Sequence, residues 1–201
     1  MKKKAVLLTF DPGKLNFAYS MLTPKGDIIR TGMLTTTLTN LKEPDIFTYE
    51  LKMFKDEVKS LCDKDTKLRV VFERFVPRGS RYMGNLIEIT CLKIGILTST
   101  LSEYYDNVKF TPILASSWKN FYKKYKISLY ENDSAPEHIL DSIHIGLYYL
   151  VQSQRLEIIE LKHLTKAIRC VNFNWYNYKS NWYFGERKSE HLRGRRNSFG
   201  N

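Results

Sequence analysis

Three acids stand in apolar surroundings in a chain whose acids are the minority. Asp11 closes the run Ala5–Asp11. Glu73 lies in Val70-Val71-Phe72-Glu73-Arg74-Phe75, and Asp141 in Ile139-Leu140-Asp141-Ser142-Ile143-His144. A carboxylate in such a setting is costly unless it is paired or holds a cation. Asp141 and His144 are three apart, so on a helix they share a face, and Glu137, four before Asp141, can share it too. Strand ends and a helix that brought Asp11, Glu73, Asp141 and His144 to one spot would make an oxygen-rich site suited to Mg²⁺ or Mn²⁺. Two such ions about 3.5–4 Å apart activate a water and stabilise the leaving oxygen of a phosphodiester. Each residue also has a plainer use. Asp11 before Pro12-Gly13 suits a turn, Glu73 suits a pair with Arg74 or Arg78, Asp141 suits a buried hydrogen bond, and His144 suits a satisfied core histidine.

The elements that must position these residues are legible as alternating strands and helices. Ala5–Asp11, Phe17–Thr23 and Ile28–Thr35 are rich in strand formers, and Pro24-Lys25-Gly26-Asp27 has hairpin-turn composition. Phe47, Leu51, Phe54, Val58 and Leu61 make one apolar stripe, which predicts a helix over 45–62. Leu68–Phe75 and Val108–Leu114 read as core strands. Asn85–Tyr104 is apolar nearly all round, as expected of a helix buried in a core or against a second subunit. A basic, loop-like stretch then leads to a helix from Pro136 to Gln152, with the proline in its first turn. Three strands joined by hairpins, then helix–strand–helix–strand–helix, predict a mixed α/β sheet with right-handed crossovers.

The chain has 201 residues, with 32 Lys+Arg against 21 Asp+Glu, a formal net charge of +11. That surplus points to a polyanionic partner, most often nucleic acid. From Lys162 onward nine Lys/Arg face only Glu186 and Glu190, so seven of the eleven net charges sit in the last fifth. The shift predicts two parts, a domain over 1–160 and a basic, aromatic C-terminal extension over 161–201. No window approaches the roughly 20 apolar residues of a membrane span. Cys62, Cys91 and Cys170 fit neither a zinc site nor a disulfide framework, which favours a reducing, cytoplasmic setting.

Asp11-Pro12-Gly13 after a first strand, Glu73 at the end of the fourth and Asp141-Ser142-Ile143-His144 on the last core helix resemble the RuvC family of Holliday junction resolvases, of the RNase H-like superfamily. Chain order and spacing agree over residues 5–150. Asn16, Ala18 and the compact Pro136-Glu137-His138 run resemble phage-encoded members more than bacterial ones, which would put the protein in a host cytoplasm. The resemblance implies an RNase H-like, five-stranded mixed sheet flanked by helices. It also implies a homodimer that cuts four-way DNA junctions with Mg²⁺, two ions per site, leaving 5′-phosphate and 3′-hydroxyl ends. Asp11 would bridge the metals, Glu73, Asp141 and His144 would complete the set, and Lys119 matches a position where the family places a phosphate-contacting lysine.

Basic residues flank this set. Arg74, Arg78 and Arg81 follow the second acid and are placed to grip the cut strand, with Lys14 beside the first acid. Lys119, Lys123, Lys124 and Lys126 form a second cluster, suited to DNA or to a solvated helix end. Seven aromatics within 171–184 suit packing on the core or stacking on unpaired bases. Two other functions fit the same residues: a nucleic-acid-binding protein that kept the fold without catalysis, and a ribonuclease for RNA–DNA hybrids drawing a carboxylate from Glu50 or Glu57.

Overall fold

The computed structural model describes residues 5–13, 16–35, 44–74, 84–129, 135–170 and 176–177. The elements run β1 (Ala5–Pro12), β2 (Asn16–Leu22), β3 (Ile28–Thr35), α1 (Pro44–Leu61), β4 (Lys67–Arg74), α2 (Gly84–Tyr104), β5 (Val108–Leu114), α3 (Ala115–Lys124), α4 (Glu137–Gln152), α5 (Ile158–Cys170) and β6 (Tyr176–Asn177). The sheet order is β5-β4-β1-β2-β3-β6. β1, β2 and β3 are antiparallel neighbours, and β4 and β5 are added parallel to β1. The expected five-stranded mixed sheet is therefore present, with the two-residue β6 paired to the free edge of β3.

Period-two alternation along the strands divides the core between the two sheet faces. Val6, Leu8 and Phe10 of β1 and Leu68 and Val70 of β4 join Leu51, Phe54 and Val58 of α1 and Leu97 and Leu101 of α2. Leu7 and Val71 point the other way, into a second cluster with Trp118 and Tyr122 of α3, Ile139, Ile143 and Leu147 of α4, and Leu161 and Ile168 of α5. The stretch after β5, read from sequence as a basic loop, is the helix α3. Its three lysines, Lys119, Lys123 and Lys124, are exposed while Trp118 and Tyr122, four residues apart, are buried. The β2–β3 hairpin turns at Gly26, whose φ of +91° is one that L side chains rarely adopt.

α4 lies closely on β1 and β2. Thr9 Oγ1 donates to the carbonyl of Ser142 at 2.6 Å, and the hydroxyls of Ser20 and Ser142 share a hydrogen bond. These buried polar groups satisfy one another and fix the helix against the strands. Lys14, Phe75, Arg78, Arg81 and, apart from Tyr176, the aromatics within 171–184 lie outside the described residues.

Candidate active site

Sheet register brings the first two acids together. Phe10 is the parallel partner of Phe72, so Asp11 and Glu73 are the next positions along neighbouring strands. Alternation puts Asp11 on the same face as Thr9, and Glu73 on the same face as Val71, the face covered by α3 and α4. Asp11 and Asp141 are buried, at 9% and 5% exposure, and Glu73 is half-buried.

Each carboxylate meets a different donor. His138 Nδ1 lies 2.7 Å from Asp11 Oδ2. Trp118 Nε1–H donates to Glu73 Oε2 at 2.9 Å. Lys119 Nζ is 3.4 Å from Asp141 Oδ2 and also stands over the Trp118 ring. α3 thus serves two acids from adjacent residues, and α4 carries both Asp141 and the imidazole on Asp11. The hydrogen bond to Asp11 raises the His138 pKa above its ordinary 6.5; desolvation opposes this, and the charges of Asp11, Asp141 and Glu137 add to it. A carboxylate oxygen only accepts, so Nδ1–H is the donor of this bond.

The imidazole at Asp11 was not the one expected. His144 is 2% exposed; its Nε2 faces the carbonyl of Leu129 at 3.0 Å, its ring meets Tyr122 edge-on, and its own carbonyl accepts the Tyr122 hydroxyl. His138 is also three residues from Asp141, on the N-terminal side, and that spacing was the available signal. Glu57, the spare carboxylate of the ribonuclease reading, is held by Arg30 and by the Tyr19 hydroxyl. The side chain of Glu50 lies outside the described residues.

Further basic groups lie on the elements that carry the site residues. Arg74 is exposed at the end of β4, on the rim of an open hollow of about 510 Å³ shared with Ser117, Tyr148 and Tyr149. Lys123 and Lys124 are exposed in the last turn of α3. Two residues beyond Asp11, Gly13 N–H donates to the Asn16 carbonyl at 2.9 Å, and a Cβ on Gly13 would sit 2.3 Å from that oxygen.

Three carboxylates with an imidazole suit a hard divalent cation in donor chemistry. In the present spacing, no three His, Cys, Asp or Glu among the described residues form a group that could hold one. The positions nearest the carboxylates are taken by the protein's own donors, His138, Trp118 and Lys119.

The mixed sheet flanked by helices is similar in fold to solved RuvC structures. Thermus thermophilus RuvC in complex with a Holliday junction substrate superposes with a TM-score of 0.57 at 14% identity, over 74% of this chain and 95% of that one. Another Thermus thermophilus RuvC structure gives a TM-score of 0.54 at 12% identity, over the same shares. No family model and no curated protein sequence matches the chain, so the likeness is one of fold. No described helix is long and apolar enough to cross a membrane.

Proposed function

We propose that the protein is a metal-dependent endonuclease for branched DNA, four-way junctions above all. The observation that carries this reading is the convergence of Asp11 and Glu73 at one register position with Asp141 delivered by α4, all bordered by cations, on a RuvC fold in a +11 chain.

Mg²⁺ or Mn²⁺, two per site, would be held by Asp11, Glu73 and Asp141 with the imidazole of His138 once Lys119 and His138 leave the carboxylates and these side chains draw closer together; the metal would supply an activated water and stabilise the leaving oxygen. The products would be 5′-phosphate and 3′-hydroxyl ends. The chain's own side chains do the rest. Lys119, 45% exposed, leaves Asp141 to meet a phosphate oxygen of the cut strand. His138 Nδ1 holds a proton on Asp11 Oδ2 while the site is empty of substrate and releases that oxygen on loading. Trp118 keeps Glu73 aimed through its indole N–H. His144, tied to Leu129 and Tyr122, keeps the buried side of α4 in place. Arg74, Lys123 and Lys124, with Lys14, Arg78 and Arg81, bind the DNA backbone, and the basic extension over 161–201 adds salt-sensitive affinity.

Two sites must face opposing strands to resolve a junction, which calls for a homodimer. The outer face of α2 suits the contact: Glu88, Cys91, Leu92, Gly95 and Ser99 are exposed, Leu92 at 36%, and a Cβ at Gly95 would meet nothing within 4 Å.

One observation favours a second reading. Carboxylates already satisfied by His138, Trp118 and Lys119 also describe a DNA-binding protein on this fold that does not cut. A panel of labelled junctions, flaps, Y-forks, linear duplex and RNA–DNA hybrid, each with Mg²⁺ or Mn²⁺, separates the two. Cutting confined to branched DNA is expected. Tight junction binding with no product in either metal would establish the second reading, and preferential cutting of the hybrid would make the protein a ribonuclease.

A further inference from the structure

α2 is apolar over most of its length, yet it carries a lysine at its centre. Lys93 is 1% exposed and is among the largest fully buried side chains of the protein. Its neighbours Ile89, Leu97 and Leu101 are core residues of the ordinary kind. A buried ammonium is costly, and a methionine or leucine would fill the same volume without that cost. What the lysine does is therefore to be sought in what it reaches.

It reaches the end of β1. Lys93 Nζ donates to the carbonyl of Gly13 at 3.4 Å. The same glycine's N–H is bonded to Asn16, so both backbone polar groups of Gly13 are engaged. Gly13 is two residues beyond Asp11. The direction of approach also matters. Asp11 faces α4 and is held there by His138, whereas α2 packs on the opposite face of the sheet with Phe10 and Val70. The strand end that carries Asp11 is thus gripped from both faces, by an imidazole at the side chain and an ammonium at the backbone.

We infer that Lys93 is a positioning residue of the acidic site, which fixes Asp11 by anchoring the backbone at Gly13 from the face opposite the carboxylates. This inference rests on the nuclease reading for its consequence in catalysis, but the anchor itself is a property of the unliganded protein. Rate falls steeply when a reacting geometry is loosened by as little as an ångström, without a matching loss of substrate binding. Removing the anchor is therefore expected to lower kcat and spare KM.

The test is Lys93→Met, which keeps the length and apolar bulk and removes the donor and the charge. Amide exchange over residues 10–17 of the metal-free protein is expected to accelerate at least tenfold, with β4 and β5 unchanged and the melting temperature unchanged or raised. With a four-way junction and Mg²⁺, kcat is expected to fall ten- to a hundredfold while KM stays within twofold. Unaltered exchange over 10–17 overturns the anchor, whatever the activity. Faster exchange with kcat intact overturns the positioning role. If Lys93→Met does not fold, Lys93→Leu, which also lacks a donor, is read in the same two ways. A wild-type protein that cuts no branched DNA overturns the nuclease reading and the catalytic consequence with it, and leaves the exchange result to decide the anchor.

Discussion

His138 Nδ1 lies 2.7 Å from Asp11 Oδ2, so α4 is tied to the first strand through the proposed catalytic acid itself. The bond has a pH signature. Asp11 raises the His138 pKa above 6.5, so the folded chain holds that proton more tightly than the unfolded chain does. Such a group stabilises the fold fully below the unfolded value and loses that contribution as pH rises through the folded value. In metal-free protein, the melting-temperature gap between wild type and His138→Ala should be widest at pH values below the ordinary imidazole range and should shrink as pH rises above it. A gap that stays constant across that range would show that the imidazole is not protonated against Asp11.

Asp11→Asn separates binding from chemistry. The amide oxygen still accepts the His138 proton donor, so the fold is kept, while the carboxylate charge needed for a divalent cation is gone. Cutting of a four-way junction in Mg²⁺ should fall by about a thousandfold or more, the scale seen when a group acting in the transition state is removed. Junction affinity, measured without metal by gel shift, should be unchanged or higher, because a negative charge facing phosphate has been lost. Full activity in this variant would end the nuclease assignment.

Gly146 lets α4 approach the sheet closely enough to deliver Asp141 and His138. A Cβ there would sit 2.5 Å from Leu22 Cδ1 and 2.8 Å from Thr9 Cγ2. Thr9 cannot easily give way, since its hydroxyl is bonded to Ser142. Overpacking of this kind costs about 1–3 kcal/mol, against a gain of up to about 1 kcal/mol from replacing glycine inside a helix. Gly146→Ala should therefore lower the denaturant midpoint. It should also reduce cutting by lifting the helix that carries two site residues. A raised midpoint would mean that the helix is not seated so closely.

How far these features could be read from sequence varied with the length of the pattern. β1, β2, β3 and β5 each show several apolar residues bounded by turn signals, and their expected limits hold to within a residue or two. α3 was hidden because it spans only Ala115–Lys124, and its lysines outnumber the two buried aromatics that define its inner face. The acids were legible because carboxylates are rare in apolar runs. The imidazole was not: His138 and His144 stand at equal distances before and after Asp141, and only the seating of α4 on β1 tells which one meets Asp11. Lys93 was masked by the apolar residues around it, and only its burial and its reach to Gly13 set it apart.

The outer face of α2 gives the last prediction. Leu92 is 36% exposed between Glu88 and Gly95 on a helix whose opposite side is buried in the core. An isolated exposed leucine on a monomer is ordinary, so its replacement by a charged residue should change monomer stability by no more than about 0.5 kcal/mol. At the centre of a two-fold contact the same change sets like charges against each other across the axis, in a place where each copy offers the same patch. Leu92→Glu should therefore keep its circular dichroism spectrum and its affinity for single DNA arms. In sedimentation it should shift from two protomers per four-way junction to one, and it should lose paired incision of opposing strands while still making single nicks. Paired incision by a Leu92→Glu protein that still binds two to a junction would move the dimer contact to another surface.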